Sequence, residues 1–370
     1  MIGQRGLPAT YGGVERHVEE LGVRLAERGH EVVVFCRRNY TDDPQPSHRG
    51  VRLVYAPTVE SKHLEAALHS GAASLLTLGR GFDIVHYHAV GPGLWSPIPR
   101  WLSGAKIVQT IHGLAIQKNN EDHAKWGRLA RAVLQGGDWL SQRVPDAVIV
   151  VGEYLLDHYR NRRGLTVHIP NGVAPSTATD SSVLGRLGLR PHQYALFVGR
   201  LIPEKGVDQL IRAFAQIDTF HRLAVVGGSS FTADYELLVK RLAVADPRVV
   251  LPGYVYGAQL AALFANASVY IQPSVLEGLP LTVLEAASHG LPLVLSDIPA
   301  HQEILPKTRA GGRLYPAGDV AKLAATLGEA LVAADGERDE ARQAGEQTIR
   351  RYRWETVTDQ TEALYRTIAA

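Results

Sequence analysis

The chain has 370 residues, of which 45% are hydrophobic and 21% are charged. This length exceeds the size at which one hydrophobic core usually keeps growing, so it predicts two domains. A formal net charge of +2 is too small to indicate a nucleic-acid-binding protein. With no uninterrupted apolar stretch of ~18 residues and no basic-then-apolar leader, we expect a cytoplasmic protein that at most rests on a membrane surface.

The first residues form an unusual start for an α/β chain. Met1, Ile2 and Gly3 lead directly into a polar loop over residues 4–13, whereas such a loop normally follows a strand of about 4–8 apolar residues. Either the first strand is very short or the native chain begins upstream of this methionine, and we expect the second. Mass spectrometry of the native N-terminus tests this expectation, which an unextended start would overturn.

Strands and helices alternate through the first half. Residues 14–28 have apolar side chains at helical spacing and predict an amphipathic helix that Gly29 ends, and residues 63–79 predict another. Apolar runs predict strands at 31–37, 51–56, 83–89, 106–111 and 147–151. Cys36, the single cysteine, lies in the first of these strands. This favours a buried thiol over a reactive one, excludes an internal disulfide and suits a reducing compartment.

A small, polar stretch over residues 174–182 predicts a linker between two domains. The alternation then resumes, with strands predicted at 194–198, 222–226, 249–251, 269–272 and 291–296. Helices are predicted at 321–333, 336–353 and 354–370. Such alternation is typical of parallel, doubly wound sheets, so the sequence predicts an α/β protein with domains at residues 1–173 and 174–353.

The most informative stretch follows the predicted strand at 269–272. Residues 274–285 read Ser-Val-Leu-Glu-Gly-Leu-Pro-Leu-Thr-Val-Leu-Glu, which predicts a polar turn and then a helix that opens near Pro280, a favoured first helical residue. The first turn of a helix has unpaired amides, here around Leu279 and Leu281, and these suit a phosphate.

Two carboxylates flank this helix start. Glu277 lies in the turn beside Gly278, and Glu285 lies inside the helix, eight residues further on. A carboxylate only accepts hydrogen bonds and a sugar is rich in donors, so the pair suits sugar hydroxyls on either side of a bound diphosphate. The alternative is a solvated helix N-terminus with ordinary capping acids.

A second charged loop follows the strand at 194–198. Gly199 ends the strand, Arg200 and Lys205 bracket a turn, and Gly206 precedes a helix. Two cations can neutralise a diphosphate: each charge pair at ~4 Å is worth about 4 kcal/mol at an effective dielectric of about 20, before desolvation, and arginine adds a bidentate fork. The alternative is a surface loop with incidental charges.

Gly12 and Gly13 open the first helix. Paired glycines let backbone amides approach a phosphate without a side chain in the way, although a turn without a ligand has the same pattern. The spacing differs from the Gly-x-Gly-x-x-Gly pattern of dinucleotide-binding enzymes.

Three histidines lie on or after predicted strands of the first half. His112 follows the strand at 106–111 and can donate to or accept from a sugar hydroxyl or a phosphate, or simply cap a loop. His88 lies nearer the carboxyl end of its strand than His86 and could face an acceptor, whereas a structural role is favoured for His86. A zinc site formed by these three residues is disfavoured, because no carboxylate or thiol completes the ligand set.

Two basic clusters could contact anionic lipid, although solvated helix faces are favoured. Arg160, Arg162 and Arg163 form one cluster, and Trp126, Arg128 and Arg131 form the other.

Together these motifs resemble those of the retaining GT-B glycosyltransferases of the large family 4 type, also called glycosyl transferases group 1. The strings that carry the resemblance are Glu-Gly-Leu-Pro with a second Glu at 277–285, Gly-Arg-Leu-x-x-x-Lys-Gly at 199–206, Thr-x-His-Gly at 110–113 and Ile-Pro-Asn-Gly-Val at 169–173. The opening string, residues 5–15, is similar to a bacterial rhamnosyltransferase-like subgroup. The resemblance implies two Rossmann-like domains that face each other across a cleft, with the helix at 354–370 packed back on the first.

The resemblance also implies roles for the residues above. Arg200, Lys205, the amides of Gly12 and Gly13 and the helix start at 279–281 would bind the diphosphate of a nucleotide-sugar donor. Glu285 would bind the ribose, and Glu277 and His112 would orient the donor sugar. No metal or other cofactor is required in such a site. The acceptor would be a saccharide or a lipid-linked sugar, which suggests bacterial polysaccharide or glycolipid synthesis.

Two other functions stay open from the sequence alone. One is a nucleotide-sugar epimerase with the same fold, and the other is a non-catalytic partner subunit. The donor sugar, the base and the acceptor depend on pocket shape, for which Tyr11, His88 and Thr282 are candidate determinants.

Overall fold

A computed structural model of the chain describes residues 1–370 except for 11, 59–64, 114–127, 175–179, 230–232 and 306–310. Tyr11 and Trp126, which the sequence singled out, therefore lie outside the described residues. The chain divides into two compact units. The first unit combines Met1–Gly172 with Trp354–Ala370, and the second comprises Val173–Arg353.

The described residues of the first unit form seven strands. They are β1 Val33–Arg37, β2 Ser47–His48, β3 Val51–Ala56, β4 Ile84–His88, β5 Lys106–Ile111, β6 Ala147–Val150 and β7 Leu165–His168. One group has the order β1-β3-β2 and the other the order β4-β5-β6-β7. All neighbours are parallel except β2 and β3. The parallel arrangement confirms the fold class predicted from the alternating pattern.

The two strand groups are joined by the first two residues of the chain. The Ile2 amide donates to the His86 carbonyl at 2.9 Å, and the His88 amide donates to the Ile2 carbonyl at 2.8 Å. On the other side, the Phe35 amide donates to the Met1 carbonyl at 3.1 Å. Met1 and Ile2 thus fill the position of a strand between β1 and β4, although they are too few to give a strand pattern in the sequence.

The helices of the first unit are α1 Gly13–Glu27, α2 Glu65–Leu76, α3 Pro97–Leu102, α4 Arg128–Ser141 and α5 Leu156–Tyr159. Alternate residues of β1 face opposite sides, as the period of a strand requires. Val34 and Cys36 pack in a core with Val18 and Leu21 of α1, while Phe35 packs with Tyr87 on the other face. Cys36 is fully buried, and burial raises the pKa of its thiol to about 11.

The second unit contains one six-stranded parallel sheet. Its strands are β8 Tyr194–Val198, β9 Arg222–Val226, β10 Val249–Gly253, β11 Val269–Gln272, β12 Leu293–Ser296 and β13 Gly312–Tyr315. Their order is β10-β9-β8-β11-β12-β13, which is the Rossmann order of a doubly wound sheet. Ala195, Phe197, Leu223 and Val225 belong to the buried core on one face of this sheet.

The helices of the second unit are α6 Ser182–Arg186, α7 Val207–Phe214, α8 Ala233–Val244, α9 Gly257–Asn266, α10 Leu281–Ser288, α11 Pro299–Ile304 and α12 Val320–Arg351. The sequence predicted two helices where α12 is continuous, and that prediction was wrong. A Cβ at Gly336 would meet no atom within 4 Å. This glycine therefore lies in the helix without a packing role, and its propensity penalty is too small to end a helix that packs along its length.

The last helix, α13 Trp354–Ala369, belongs to the first unit although it follows the second in the chain. It packs along α1, where Arg28 contacts Asp359 at 2.7 Å and Glu362 at 2.9 Å. Where the chain passes between the units, the Val173 amide donates to the Tyr352 carbonyl at 2.6 Å. Among the described residues, no helix has both the length and the apolar composition needed to cross a bilayer.

Candidate functional site

The strand order of the second unit places two of the predicted motifs side by side. β8 and β11 are neighbours at the centre of the sheet, and the chain leaves them toward opposite edges. In open α/β sheets, ligands bind outside the carboxyl ends of the strands at such a switch point. The loop after β8 carries Arg200 and Lys205, and the loop after β11 carries Glu277, so the topology brings the basic and acidic motifs together.

The loop after β8 is held against the loop after β11 through a glycine. Gly206 has a φ of +64°, and a Cβ there would lie 2.5 Å from the Pro273 carbonyl oxygen. Only glycine combines this left-handed backbone with so close a contact. At the start of the loop, the Gly199 amide donates to the Val226 carbonyl at 2.9 Å. Arg200 follows with an exposed side chain.

Lys205 and Glu277 form an ion pair across the two loops. The Lys205 Nζ lies 2.5 Å from Glu277 Oε1, and the two side chains are only 15% and 11% exposed. An ion pair with this little exposure is screened less by water and salt than a surface pair. The sequence predicted both residues as site residues, and the structure shows that they contact each other directly.

Two further donors converge on the same carboxylate oxygen. Ser274 Oγ donates to Glu277 Oε1 at 2.6 Å, and Gln272 Nε2 donates to it at 3.0 Å. The Gln272 side chain is oriented in turn by the Tyr270 hydroxyl, which donates to Gln272 Oε1 at 2.6 Å. The sequence did not predict Gln272, Ser274 and Tyr270 as site residues. Polar residues on a buried strand and in the loop after it give no signal that their side chains meet around one carboxylate.

The neighbours of Glu277 determine its protonation state. Burial alone would raise the pKa of Glu277, but the Lys205 ammonium, hydrogen bonds from Lys205 and Ser274, and the nearby His301 outweigh burial, so the pKa lies below its usual value. The carboxylate is therefore ionised at neutral pH. A fixed, ionised carboxylate beside an ammonium can orient both the cation and a hydroxyl-bearing ligand.

A buried histidine, His301, is linked to the loop after β11 through Ser296. Ser296 Oγ donates to the Ser274 carbonyl, and His301 Nδ1 donates to the Ser296 carbonyl at 2.9 Å. His301 is fully buried, and its Nε2 has no hydrogen-bond partner among the residues that the structure describes. Burial lowers the pKa of His301 to about 4, with Glu277 opposing that shift and Lys205 adding to it, so the ring is neutral at pH 7.

Helix α10 begins near Pro280, as the sequence predicted. Pro280 is the N-cap, with an extended backbone, and Leu281 is the first helical residue. Gly278 and Leu279 are buried just before it. Glu285 lies in the helix and is half-buried. Burial raises the pKa of the Tyr270 hydroxyl, a hydrogen bond with Thr282 opposes that rise, and the charges of Glu277 and Glu285 raise the pKa further, so both acids lie near one buried phenol.

The first unit places Gly12 and Gly13 as predicted, at the N-cap and the first residue of α1. Their surroundings contain an acid that the prediction did not include. Glu15 Oε1 accepts a hydrogen bond from the Arg5 amide at 3.0 Å, and a Cβ at Gly12 would lie 2.6 Å from Glu15 Oε2. Gly12 therefore makes room for a carboxylate beside the loop.

His112 follows β5 and meets two other histidines. Its Nε2 lies 3.2 Å from Nδ1 of His88, the last residue of β4. His17 of α1 meets both rings edge-on, with centroids 4.7 Å from His112 and 5.6 Å from His88. His17 escaped the sequence prediction, because a histidine in an amphipathic helix shows no spacing relation to histidines on strands far along the chain.

His86 is separated from this group by its own hydrogen bonds. Its Nδ1 lies 2.5 Å from the Tyr365 hydroxyl, and its Nε2 lies 2.7 Å from Thr110 Oγ1. Its ring stacks on His88 with centroids 4.3 Å apart. Both ring nitrogens are satisfied within the fold, which agrees with the structural role that the sequence favoured for this histidine.

Comparison with known families matches both halves of the chain. A model described as "Glycosyltransferase Family 4" matches residues 11–177, and one described as "Glycosyl transferases group 1" matches residues 192–332. The second match spans β8 to β13, and with them the Lys205–Glu277 pair.

Curated relatives align with almost the full chain. A phosphatidyl-myo-inositol mannosyltransferase of Mycobacterium leprae is 28% identical, covering 97% of this chain and 94% of the relative. A glycogen synthase of Mycobacterium tuberculosis is 29% identical, covering 97% and 92%.

Solved structures give the same fold. Sucrose-phosphate synthase of Thermosynechococcus elongatus superposes with a TM-score of 0.80 at 23% identity, covering 98% of this chain and 96% of that one. HepE of Anabaena, solved in complex with UDP-glucose, superposes with a TM-score of 0.79 at 18% identity, covering 98% and 97%. These matches establish a GT-B fold of two Rossmann-like domains. The chain is a glycosyltransferase, and its two halves match models of the family 4 and group 1 types.

Proposed function

We propose that this glycosyltransferase moves a sugar from a nucleotide-diphosphate donor to a hydroxyl acceptor with retention of configuration at the anomeric carbon. The Lys205–Glu277 pair at the switch point of the second unit is the observation that carries the proposal. It puts an ammonium and an oriented carboxylate where a doubly wound sheet takes its ligand. The second unit accordingly binds the donor, with Arg200 and Lys205 on the diphosphate.

The hydrogen bonds of Glu277 support this assignment. Three donors converge on one oxygen, Oε1, and they fix the carboxyl plane. A fixed carboxylate can accept hydrogen bonds from the donor sugar while its charge orients Lys205 toward the departing phosphate. Glu285, on α10, binds the ribose hydroxyls, and the amides at the start of α10 bind phosphate oxygens.

The reaction breaks the bond between the anomeric carbon and the diphosphate oxygen and forms a bond from that carbon to the acceptor oxygen. The acceptor attacks the face from which the diphosphate leaves, and its proton passes to a donor phosphate oxygen. No side chain acts as a covalent nucleophile. The protein lowers the barrier by stabilising the charge that develops on the diphosphate, for which Arg200 and Lys205 suffice without a divalent ion.

Gly12, Gly13 and His112 complete the proposal from the first unit. The paired glycines offer amides to the diphosphate, and His112 contacts the transferred sugar. These roles come from the motif resemblance. The carboxylate of Glu15 lies beside Gly12, so phosphate binding by the two glycines is the harder of the two roles to test.

The names of the relatives bear on the product. They are a phosphatidyl-myo-inositol mannosyltransferase, glycogen synthases and alpha-maltose-1-phosphate synthases, so mannosyl and glucosyl transfer to lipid and saccharide acceptors both occur among them. The opening string of the sequence adds rhamnosyl transfer as a candidate. We propose synthesis of a bacterial polysaccharide or glycolipid on the cytoplasmic side of the membrane.

A thermal-shift screen against UDP-, GDP-, ADP- and dTDP-sugars tests the proposal, since a ligand that binds only the folded protein raises its melting temperature. We expect one nucleotide class to stabilise the protein. That donor, incubated with candidate acceptors without divalent ions, should release the free nucleoside diphosphate and give a glycoside of retained configuration.

Other outcomes would contradict the proposal in distinct ways. An altered sugar still attached to its nucleotide would indicate an epimerase. No stabilisation by any nucleotide sugar would indicate a non-catalytic partner subunit. Inverted configuration in the product, or strict dependence on Mg²⁺, would overturn the mechanism while leaving the transferase activity standing.

A further inference from the structure

Three histidines of the first unit form a compact group of ring nitrogens. His17, His88 and His112 each present one nitrogen, and these atoms all lie within 4.8 Å of one another. One pair, His88 Nδ1 and His112 Nε2, is 3.2 Å apart, which is also a hydrogen-bonding distance. Two ligands of a tetrahedral ion with bonds of about 2.0 Å lie roughly 3.3 Å apart, so this pair already has the required spacing.

His88 presents Nδ1 to the group, and its other ring nitrogen, Nε2, lacks a hydrogen-bond partner among the described residues. The His88 side chain is fully buried. A buried polar atom without a partner is uncommon because its desolvation is not offset. The ring has little freedom to turn away, since it is stacked between His86, at 4.3 Å, and His112, at 5.5 Å.

A residue outside the group orients His17. His17 Nδ1 lies 2.9 Å from Asn171 Oδ1, and an amide oxygen only accepts, so Nδ1 holds the proton and Nε2 presents a lone pair. Metal-binding histidines commonly have such an outer partner, which sets the tautomer and the ring direction. The contact is buried, so water does not compete with it.

We propose that His17, His88 and His112 bind one divalent transition-metal ion, Zn²⁺ being the best match. Three imidazoles suit zinc, whereas Mg²⁺ and Ca²⁺ prefer oxygen ligands. His112 is the least buried of the three, so a fourth ligand such as water or an oxygen of a bound molecule would reach the ion from its side. The sequence disfavoured zinc bound by His86, His88 and His112 because no carboxylate or thiol completes that set; in the fold, His17 takes the place of His86 beside His88 and His112.

This proposal does not depend on the proposed transfer mechanism. The residues assigned to the diphosphate, Arg200 and Lys205, belong to the second unit, and their role without a divalent ion is unaffected. His112 could serve both sites, with Nε2 on the metal and Nδ1 toward a sugar. A measurement of metal binding without donor or acceptor therefore tests the three-histidine site alone.

The first experiment titrates Zn²⁺ into the untagged, EDTA-treated full chain by calorimetry and measures retained zinc after dialysis. We expect one equivalent with a Kd of about 1 µM or tighter. His88→Ala and His112→Ala should weaken binding at least about 100-fold, and Asn171→Ala about 10- to 100-fold as an outer-shell change. His158→Ala removes an exposed histidine that pairs with Asp138 and should leave binding unchanged.

A second measurement needs no substitution, in case the buried variants fail to fold. Co²⁺ added to the wild-type chain should give the intense visible absorption of a tetrahedral site, and Zn²⁺ but not Mg²⁺ should raise the melting temperature. Retention of less than one equivalent of zinc, equal retention by His88→Ala, or the weak spectrum of hydrated Co²⁺ would each overturn the site.

Discussion

In both units, polar side chains meet at or beyond the carboxyl ends of parallel strands. The groups that meet are charged in the second unit and neutral in the first. In the second unit, loops after β8 and β11 bring together an ammonium and a carboxylate, and the hydrogen bonds there serve one ionised oxygen. In the first unit, the ends of β4 and β5 bring together imidazoles, and burial keeps the pKa of His88 and His112 well below the usual value. Parallel strand order decides where polar groups meet. Residue type then decides whether the meeting point attracts an anion or a cation.

Substitution of Lys205 is expected to have the largest effect, because it removes the cation from the charged site. Lys205→Ala should lower kcat about 100- to 1,000-fold, the loss seen when one donor to a developing oxyanion is removed. Steady-state kinetics with the donor found in the thermal-shift screen measure it. Lys240→Ala is the matched control, since Lys240 is 58% exposed and pairs with Glu236 within one helix. Equal kcat for both variants would remove Lys205 from the mechanism.

His301 is a neutral, buried ring in the same unit as the charged Lys205–Glu277 pair. Its substitution tests what the neutral ring contributes to the pH dependence of stability. Its pKa of about 4 in the folded protein lies below its unfolded value of about 6.5, so the unfolded state takes up the proton first. Stability linked to this ring is fully present above pH 6.5 and is lost as pH falls toward 4, by about 2 kcal/mol at pH 5.

His301→Asn keeps a donor for the Ser296 carbonyl and removes the titration. Urea unfolding at several pH values should therefore give a shallower loss of stability below pH 6.5 for the variant than for the wild type. His158→Asn, at an exposed position, should follow the wild-type slope. Parallel slopes for His301→Asn and wild type would show that the buried ring does not contribute.

Substitution of Glu285 should weaken binding without removing catalysis, because in the proposed function this acid binds the ribose, which is remote from the reacting bond. Glu285→Ala should raise the Kd for the preferred nucleoside diphosphate about 10-fold, or about 1.4 kcal/mol. Calorimetry measures the change. Glu340→Ala, at an exposed position on α12, is the control. An unaltered Kd for Glu285→Ala would place the ribose elsewhere.

The smallest effect is expected for a glycine of the second unit, and it concerns the stability of the protein and not its activity. Gly336→Ala should stabilise the protein by about 1 kcal/mol, because the helix continues through this glycine and the added methyl group meets nothing. Gly345→Ala on the same helix should destabilise it, because its Cβ would collide with the Ala287 carbonyl of α10. Denaturant unfolding measures both. A loss of stability in Gly336→Ala would contradict a continuous α12.

The sequence showed which loops carry residues suited to binding a ligand. It did not show which residues far apart in the chain meet in the fold. The loop with Arg200 and Lys205 and the turn with Glu277 were found because glycines and charges follow apolar strand runs. His17 was missed because helix α1 alone shows no reason for a histidine to meet residues about a hundred positions away. The sequence left a very short first strand as one of two alternatives, because two apolar residues give no strand pattern without their hydrogen bonds to β1 and β4.

The path of α13 has a consequence for synthesis on the ribosome. The second unit, Val173–Arg353, is contiguous in the chain, so it can acquire its tertiary structure while translation of the last segment is still under way. The first unit must wait for Trp354 and the residues after it, although its other strands emerge earliest. A fragment of residues 1–353 released from the ribosome should therefore protect the later-made unit from protease and leave the earlier-made one more open to cleavage, the reverse of the usual N-to-C order.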